Sequence, residues 1–232
     1  MPGTDSDIIG WVKHSFIDYP GMVSTVLFFS GCNLRCPYCH NPSIVKNRLP
    51  PVPFAKIKDY LVLRRPVIDG VVISGGEPTV HQSMLTVAAS LRNEKFSIKL
   101  DTNGLNPQMI EKCNPDYLAV DIKTSFSRYC ELSCVLNDCR ERLTETLEIV
   151  RKMGEQAEVR ITVAPLLIDD SVIIELADVL KGVAKIYLQP FNQTSELLDP
   201  SYKELEPVSP EKISKYRDYI KQITGACRIR GE

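Results

Sequence analysis

The sequence predicts an α/β fold, a partial parallel (β/α)6 barrel with a C-terminal helical extension. Six short apolar runs alternate along the chain with stretches of helical periodicity, which is typical of parallel sheets with helical crossovers. The chain has 232 residues, whereas a complete eight-unit barrel usually needs about 250 residues. We therefore expect the sheet to form an incomplete barrel.

Each predicted element follows from its local pattern. The strands are runs rich in β-branched residues, and they lie at 23–29, 71–73, 96–100, 117–122, 159–163 and 186–188. The helices between them carry apolar residues at helical spacing, and they lie at 54–63, 81–92, 108–113, 140–153 and 172–180. After residue 188 the chain turns polar, and a last helix at 210–223 is expected to cover an edge of the sheet.

Polar side chains alternate with apolar ones on three successive predicted strands, although a buried parallel strand is normally apolar throughout. Because side chains of a strand alternate between its two faces, each polar set lies on one face. The sets are Ser97, Lys99 and Asp101, then Asp121 and Lys123, then Arg160 and Thr162. A solvated edge strand explains one such pattern but poorly explains three in succession. We therefore expect a polar lumen that binds a polar ligand.

Composition and charge exclude several classes of protein. The 28 Lys and Arg residues nearly cancel the 29 Asp and Glu residues, so no overall field attracts nucleic acid or anionic lipid. No apolar run approaches the ~18 residues that span a bilayer, and the opening MPGTDSD is acidic, unlike the basic start of a signal peptide. We expect one domain over residues 1–232, located in the cytoplasm, with no nucleic acid and no membrane as partner.

Three of the eight cysteines form a C-x3-C-x2-C loop after the first predicted strand, at Cys32, Cys36 and Cys39. Three thiolates do not complete a structural zinc site, which usually takes four protein ligands. They can bind three irons of a four-iron cluster and leave the fourth iron open. Two alternatives are a zinc knuckle that includes His40 and an inert cluster with a distant fourth ligand such as Cys113.

This loop resembles the signature of the radical S-adenosylmethionine superfamily, with Tyr38 at its aromatic position. A second motif, Gly75-Gly76-Glu77-Pro78, follows the second predicted strand as in that superfamily. The resemblance implies a partial barrel of the radical S-adenosylmethionine type and one 4Fe-4S cluster. It also implies that the cluster is held by Cys32, Cys36 and Cys39, with S-adenosylmethionine on the open iron.

The run SFIDYPG at 15–21 and the run GCNLRCPYCHNP at 31–42 resemble the activating enzymes of glycyl-radical enzymes. Within these, the sequence is most similar to the group that activates anaerobic ribonucleoside-triphosphate reductase. The similarity covers about residues 10–191, the expected core, and leaves about 192–232 as a C-terminal extension.

The resemblance also implies roles for individual residues. Gly75, Gly76 and Glu77 would hold the amino group of the cofactor, and Lys123 its carboxylate. Asp101 and Asp121 would lie near its methionine and ribose portions and help to hold a monovalent cation. The remaining cofactor contacts would be Tyr38, Arg160 and Gln189, where Arg160 could instead pair with a structural carboxylate and Gln189 could cap a strand. No side chain is expected to act as an acid or base, because the cofactor carries the chemistry.

By the same resemblance, an electron donor such as flavodoxin or ferredoxin reduces the cluster, and S-adenosylmethionine is cleaved to methionine and a 5'-deoxyadenosyl radical. This radical removes a hydrogen atom from a backbone glycine of the partner reductase. The alternatives are a radical enzyme acting on a small molecule, of the 7-carboxy-7-deazaguanine synthase type, and a non-catalytic metal-binding module. Cys130, Cys134 and Cys139 either bind a second metal or are free thiols, which are commoner.

Overall fold

Strands and helices alternate along the chain. The computed structural model describes residues 7–132, 136–193 and 196–231. These residues form two units: the first contains the chain up to 33 together with 43–102 and 108–118, and the second contains 34–42, 103–107 and the chain from 119 onwards. The expectation of a single domain over the whole chain stays a prediction.

The first unit is built on four neighbouring strands in chain order, β1 (Ile8–Ser15), β2 (Ser24–Phe29), β3 (Gly70–Gly75) and β4 (Ser97–Thr102). β1 is antiparallel to β2, whereas β2, β3 and β4 are parallel to one another. The helices of this unit are α2 (Phe54–Leu63) and α3 (Ser83–Asn93), together with α1 (Pro42–Val45) from residue 43 onwards. α4 (Pro107–Cys113) follows β4.

β3 shows why these residues form a central strand. Val71, Val72 and Ile73 are fully buried, as expected for a parallel strand covered on both faces. Burying such side chains contributes roughly 1.5–3 kcal/mol each relative to exposure. The strand ends at Gly75, where the chain turns into the short 3-10 helix Pro78–Val80.

In the second unit, β5 (Tyr117–Ile122, of which 119–122 belong here), β6 (Ala157–Val163), β7 (Ile186–Pro190) and β8 (Arg228–Ile229) follow one another in order. β6 pairs parallel with β7, and β7 with β8. The helices of this unit are α5 (Cys139–Met153), α6 (Asp170–Val179) and α7 (Pro210–Thr224). Further 3-10 helices lie at Phe126–Leu132, Gly154–Gln156 and Pro200–Lys203.

The two last helices have well-defined caps. Asp169 lies just before α6, and its side chain accepts a hydrogen bond from the N–H of Val172 in the first turn. Ser209 lies just before α7 and accepts one from the N–H of Lys212. Such caps typically stabilise a helix by about 1 kcal/mol. α7 ends at Gly225 in the left-handed conformation, packs against α6 and adjoins β8. The last helix therefore begins where the sequence predicted it.

The six predicted strands are present as β2–β7, each within three residues of the predicted bounds. β1 and β8 were not predicted. No helix among the described residues is long and apolar enough to cross a membrane.

Candidate functional site

In the first unit, a close backbone approach joins the end of β2 to the turn after β3. The N–H of Gly76 donates to the carbonyl of Phe29 at 3.0 Å, and the N–H of Glu77 donates to the carbonyl of Gly31 at 2.9 Å. A Cβ atom on Gly76 would lie 1.7 Å from the Gly31 oxygen and 3.3 Å from Cβ of Cys32. Only glycine fits here, so the absence of a side chain at 76 sets the distance between the glycine turn and the first loop cysteine.

Gly75 is required for a second reason. Its φ is +129°, a region that L side chains rarely adopt. A Cβ atom at this position would also lie 2.3 Å from both the nitrogen and the oxygen of Phe29. The two adjacent glycines therefore let the chain leave β3 while touching the backbone of β2.

The Glu77 carboxylate, which is fully buried, stabilises this turn. Its Oε1 accepts hydrogen bonds from the N–H and the hydroxyl of Thr79, at 3.1 and 2.6 Å. The hydroxyl of Thr102, at the end of β4, donates to the same oxygen at 2.7 Å. Buried carboxylates need such donors. The expected role of Glu77 toward an amino group stays a prediction.

His81 links the segment before Cys32 to the segment after the glycine turn, a role that no sequence motif indicated. Its Nε2 lies 2.7 Å from the Ser30 carbonyl oxygen, and its Nδ1 lies 3.3 Å from Oδ1 of Asp7. The Asp7 carbonyl in turn accepts the N–H of Ser30 at 2.9 Å. The entry to the cysteine loop is therefore fixed from two sides.

Asp101 lies on β4 beside the buried Lys99. Nζ of Lys99 is 2.5 Å from Oδ1 of Asp101, and the side chains are 2% and 14% exposed. The alternation along β4 predicted that both side chains share a face. It did not predict that they pair with each other.

In the second unit, three of the predicted side chains form one ion cluster. Nε of Arg160 lies 2.7 Å from Oδ1 of Asp121 and its second terminal nitrogen 3.1 Å from Oδ2, while Nζ of Lys123 lies 3.3 Å from Oδ2. Burial alone would raise the pKa of Asp121, but Arg160 and Lys123 outweigh burial and hold that pKa well below its usual range. Burial would likewise lower the pKa of Lys123, but Asp121 raises it. All three groups are therefore charged near neutral pH.

The second and third loop cysteines also belong to this unit. The N–H of Cys39 donates to the carbonyl of Cys36 at 3.0 Å. Burial raises the pKa of the Cys36 thiol to about 11, against the opposing effect of Lys123. The carbonyl of Cys39 accepts the N–H of Leu198 at 3.0 Å, so the segment after β7 holds this part of the loop.

Tyr38 lies between these cysteines in sequence and is buried. Its ring centroid is 6.3 Å from that of Phe191 in an edge-to-face arrangement. Within the described ranges, its hydroxyl is a buried side-chain polar atom that has no hydrogen-bond partner. Buried hydroxyls without a partner are costly, and a bound polar ligand would supply one.

Gln189 lies on β7 in register with Thr162 of β6 and is partly exposed.

A further contact of the ion cluster was not predicted: the N–H of Lys123 donates to the hydroxyl of Tyr129 at 3.1 Å. Tyr129 belongs to the 3-10 helix Phe126–Leu132, for which the sequence carried no signal that we recognised.

The remaining cysteines are dispersed. Cys113, Cys139 and Cys227 are buried and Cys130 is exposed, while Cys134 lies outside the described residues. Over 7–132, 136–193 and 196–231, no three His, Cys, Asp or Glu side chains converge where one metal ion would bind. The four-iron cluster predicted for the three loop cysteines is a different kind of site, because each thiolate binds a different iron and the sulfurs need not converge on one ion. That cluster stays a prediction. A second metal at Cys130, Cys134 and Cys139 stays a prediction.

The fold and the cysteine loop together define a class of protein. The sequence pattern of the Radical SAM superfamily matches residues 26–184, more than half of the chain, so the chain belongs to this superfamily.

The structure of Streptococcus suis SuiB bound to the precursor peptide SuiA is similar to this chain, with a TM-score of 0.62 and 16% identity. That match covers 88% of this chain and 48% of the other, so the chain spans about half the length of SuiB. A TYW1 structure with a lysine-pyruvate adduct has a TM-score of 0.60 and 18% identity, covering 87% and 75%. The predicted fold class is confirmed.

Two relatives match over nearly their whole length. A protein of Methanocaldococcus jannaschii, by name a glycyl-radical enzyme activating enzyme, is 32% identical over 234 residues, covering 96% of this chain and 95% of the relative. The pyruvate formate-lyase-activating enzyme of Clostridium pasteurianum is 28% identical over 228 residues, covering 89% and 93%. Within the superfamily, the chain therefore belongs to the glycyl-radical enzyme activating enzymes.

Proposed function

We propose that the protein uses one four-iron cluster and S-adenosylmethionine to generate a glycyl radical on a partner enzyme. The packing of Gly76 against Gly31 and Cys32 carries the proposal, because a backbone turn with polar groups lies beside Cys32, one of the three proposed cluster ligands. In the proposed assembly Cys32, Cys36 and Cys39 hold the cluster. When bound, the cluster would supply an electron to S-adenosylmethionine, and the cofactor would supply the radical that takes the hydrogen atom from the glycine of the partner.

The chain itself binds, orients and excludes water. Lys123 is charged and held by Asp121, so it can donate to the methionine carboxylate in a charge-assisted hydrogen bond. Arg160 has the structural partner that the sequence left open, since it is paired with Asp121 at 2.7 Å. We assign it to positioning Asp121 and Lys123. The buried side chains of Cys36 and Tyr38 keep this part of the loop away from solvent, which protects a reactive radical from side reactions.

Other cofactor contacts are proposed by resemblance. Gly75, Gly76 and Glu77 would hold the amino group, Tyr38 and Gln189 would contact the cofactor, and Asp101 would lie near its methionine or ribose portion. The electron would come from a reductant such as flavodoxin or ferredoxin. We place the protein in the cytoplasm, because thiols stay reduced there.

We propose anaerobic ribonucleoside-triphosphate reductase as the partner. The resemblance of residues 15–21 and 31–42 to the activating proteins of that reductase supports this choice. The full-length similarity to a pyruvate formate-lyase-activating enzyme favours pyruvate formate-lyase as the competing partner. The small-molecule alternative has weaker support, since the 7-carboxy-7-deazaguanine synthases of Aquifex aeolicus and Neisseria meningitidis match only 36% and 50% of this chain.

The test is an anaerobic mixture of the reconstituted protein, S-adenosylmethionine, a reductant and each candidate partner. We expect an electron paramagnetic resonance signal on the reductase whose splitting disappears when its glycine is deuterated at the α carbon. Cys36→Ala should give no signal. A radical on pyruvate formate-lyase alone would reassign the partner. Cofactor cleavage that requires a small purine-like substrate, with no radical on any glycyl-radical enzyme, would refute the activase.

A further inference from the structure

A buried ammonium group stands where the sequence led us to expect a monovalent cation. Lys99 lies two residues before Asp101 on the same face of β4, with Nζ 2.5 Å from the carboxylate and only 2% of its side chain exposed. A cation that bound Asp101 at this oxygen would occupy the space of Nζ and be repelled by its charge. The carboxylate therefore already has a counter-ion that is covalently part of the chain.

The second expected ligand, Asp121, does not fit a monovalent cation either. Both of its oxygens are bonded by the Arg160 guanidinium, and the Lys123 ammonium lies 3.3 Å away. Two positive side chains thus contact this carboxylate, and Arg160 also lies 3.9 Å from Oε1 of Glu158. An additional cation at Asp121 would have to displace one of these two side chains or be repelled by both.

We infer that Lys99 is the internal counter-ion of Asp101, takes the place of a monovalent metal ion and frees the protein from any requirement for one. Lys99 acts through Asp101 and is a positioning residue. The part of this inference that concerns S-adenosylmethionine rests on the proposed function. The part that concerns the ion pair does not, and it can be measured on the protein without cofactor.

A purely structural ion pair would also lose stability when broken, because removing one partner leaves a buried charge uncompensated. The distinguishing property is rescue. Lys99→Ala removes the ammonium and leaves space beside Asp101, so a small cation from solution should enter and restore what was lost. Lys99→Met removes the charge but fills the space, so cations should not restore it.

The first experiment measures melting temperatures in potassium, ammonium or tetramethylammonium chloride at one ionic strength. The wild type should melt within about 1 °C in all three salts. In tetramethylammonium, whose ion is too large to enter, Lys99→Ala should melt lower by on the order of 10 °C. Potassium or ammonium should restore at least half of this loss in Lys99→Ala and none in Lys99→Met.

Two controls separate this effect from general salt effects. Lys58→Ala breaks the ion pair between Lys58 and Glu94, two side chains that are 33% and 37% exposed. Its melting temperature should not differ between the three salts. The double variant Lys99→Ala with Asp101→Asn removes the negative charge as well, so it should melt above Lys99→Ala in tetramethylammonium. It also keeps the test decisive if Lys99→Ala does not fold in that salt.

The second experiment measures S-adenosylmethionine affinity of the reconstituted protein by calorimetry in the same salts. The wild-type Kd should not change with the cation, whereas the Kd of Lys99→Ala should rise about tenfold in tetramethylammonium and recover in potassium. A wild type that requires potassium for stability or binding would overturn the inference. So would a Lys99→Ala protein that no cation rescues, or a Lys99→Met protein rescued equally well. A missing glycyl radical would refute the proposed function and leave the melting pattern unaffected.

Discussion

The absence of a side chain at Gly76 is as important to the site as the side chains around it. Gly76→Ala would place a Cβ atom 1.7 Å from a backbone oxygen, and backbone cannot move aside as a flexible side chain can. We expect a loss of about 1–3 kcal/mol in the free energy of unfolding, together with lower cofactor affinity. Urea unfolding and calorimetry measure these two quantities.

Gly154→Ala is the matched control, because that glycine has a positive φ but no atom within 4 Å of a Cβ. It should cost stability through backbone strain alone and leave cofactor affinity unchanged. Equal affinity losses in both variants would contradict the role assigned to the Gly76 contact.

The ion cluster of the second unit makes a second prediction at this scale. Lys123→Ala leaves Asp121 bonded by Arg160 through both oxygens. The fold and the proposed four-iron cluster should therefore persist in this variant. Cofactor affinity should fall by roughly 1.5–3 kcal/mol, the strength of a hydrogen bond to a charged group. Titration calorimetry on the reconstituted variant measures this loss, and an unchanged Kd would refute the role of Lys123.

Arg160→Ala is expected to affect mainly the stability of the protein, whereas Lys123→Ala affects mainly its affinity for the cofactor. It removes the bidentate partner of a partly buried carboxylate, so the melting temperature should fall more than in Lys123→Ala. If Lys123→Ala were the less stable of the two variants, the assignment of Arg160 to positioning would be wrong.

Among the elements, the strands show what the sequence could and could not predict. β2–β7 were found because each carries buried apolar residues, either in a continuous run, as on β3, or alternating with polar residues, as on β4. β1 was missed because its second half carries the exposed Lys13 and His14, as an antiparallel edge strand allows, and β8 because it has two residues. The period-two pattern on β4 placed Lys99 and Asp101 on one face. Their pairing depends on rotamers that no pattern of residues specifies.

The junction between β2 and α3 gives a prediction at the scale of elements. His81→Phe keeps an aromatic ring near Phe29, whose centroid lies 5.8 Å away, but removes the contacts to Ser30 and Asp7. A carbonyl left without its donor costs about 1–3 kcal/mol, so the melting temperature should fall by roughly 2–12 °C. We also expect less iron per chain after reconstitution, because Ser30 leads directly into Gly31 and Cys32.

His14→Phe is the control for this junction. His14 is exposed and has a single polar contact of 2.8 Å to Tyr60 among the hydrogen bonds described, so its loss should change stability by less than about 0.5 kcal/mol. Iron content should stay at the wild-type value. If His81→Phe bound as much iron as His14→Phe, the link between this junction and the cysteine loop would be absent.

For the molecule as a whole, the class of protein was predictable because two short motifs carry the chemistry and lie where parallel strands end. The site geometry was not, since it depends on contacts between segments distant in sequence, such as Gly76 with Gly31, and on the local contact of the Lys123 N–H with the hydroxyl of Tyr129. These contacts involve a glycine, a carbonyl and a tyrosine in a 3-10 helix. Such features have no periodic signature.

The last prediction concerns how many clusters the chain carries. A variant with Cys130→Ser, Cys134→Ser and Cys139→Ala keeps Cys32, Cys36 and Cys39 and removes the second cysteine group. The sulfur atoms of the exposed Cys130 and the buried Cys139 contact backbone carbonyls of nearby residues, so we interpret both as thiols that do not bind a metal. The wild type and the variant should both bind about four irons per chain and cleave S-adenosylmethionine at the same rate. Iron and zinc analysis with Mössbauer spectra measures the metal content. A wild type with about eight irons or one zinc, reduced to four irons in the variant, would establish a second metal site and weaken the activase assignment.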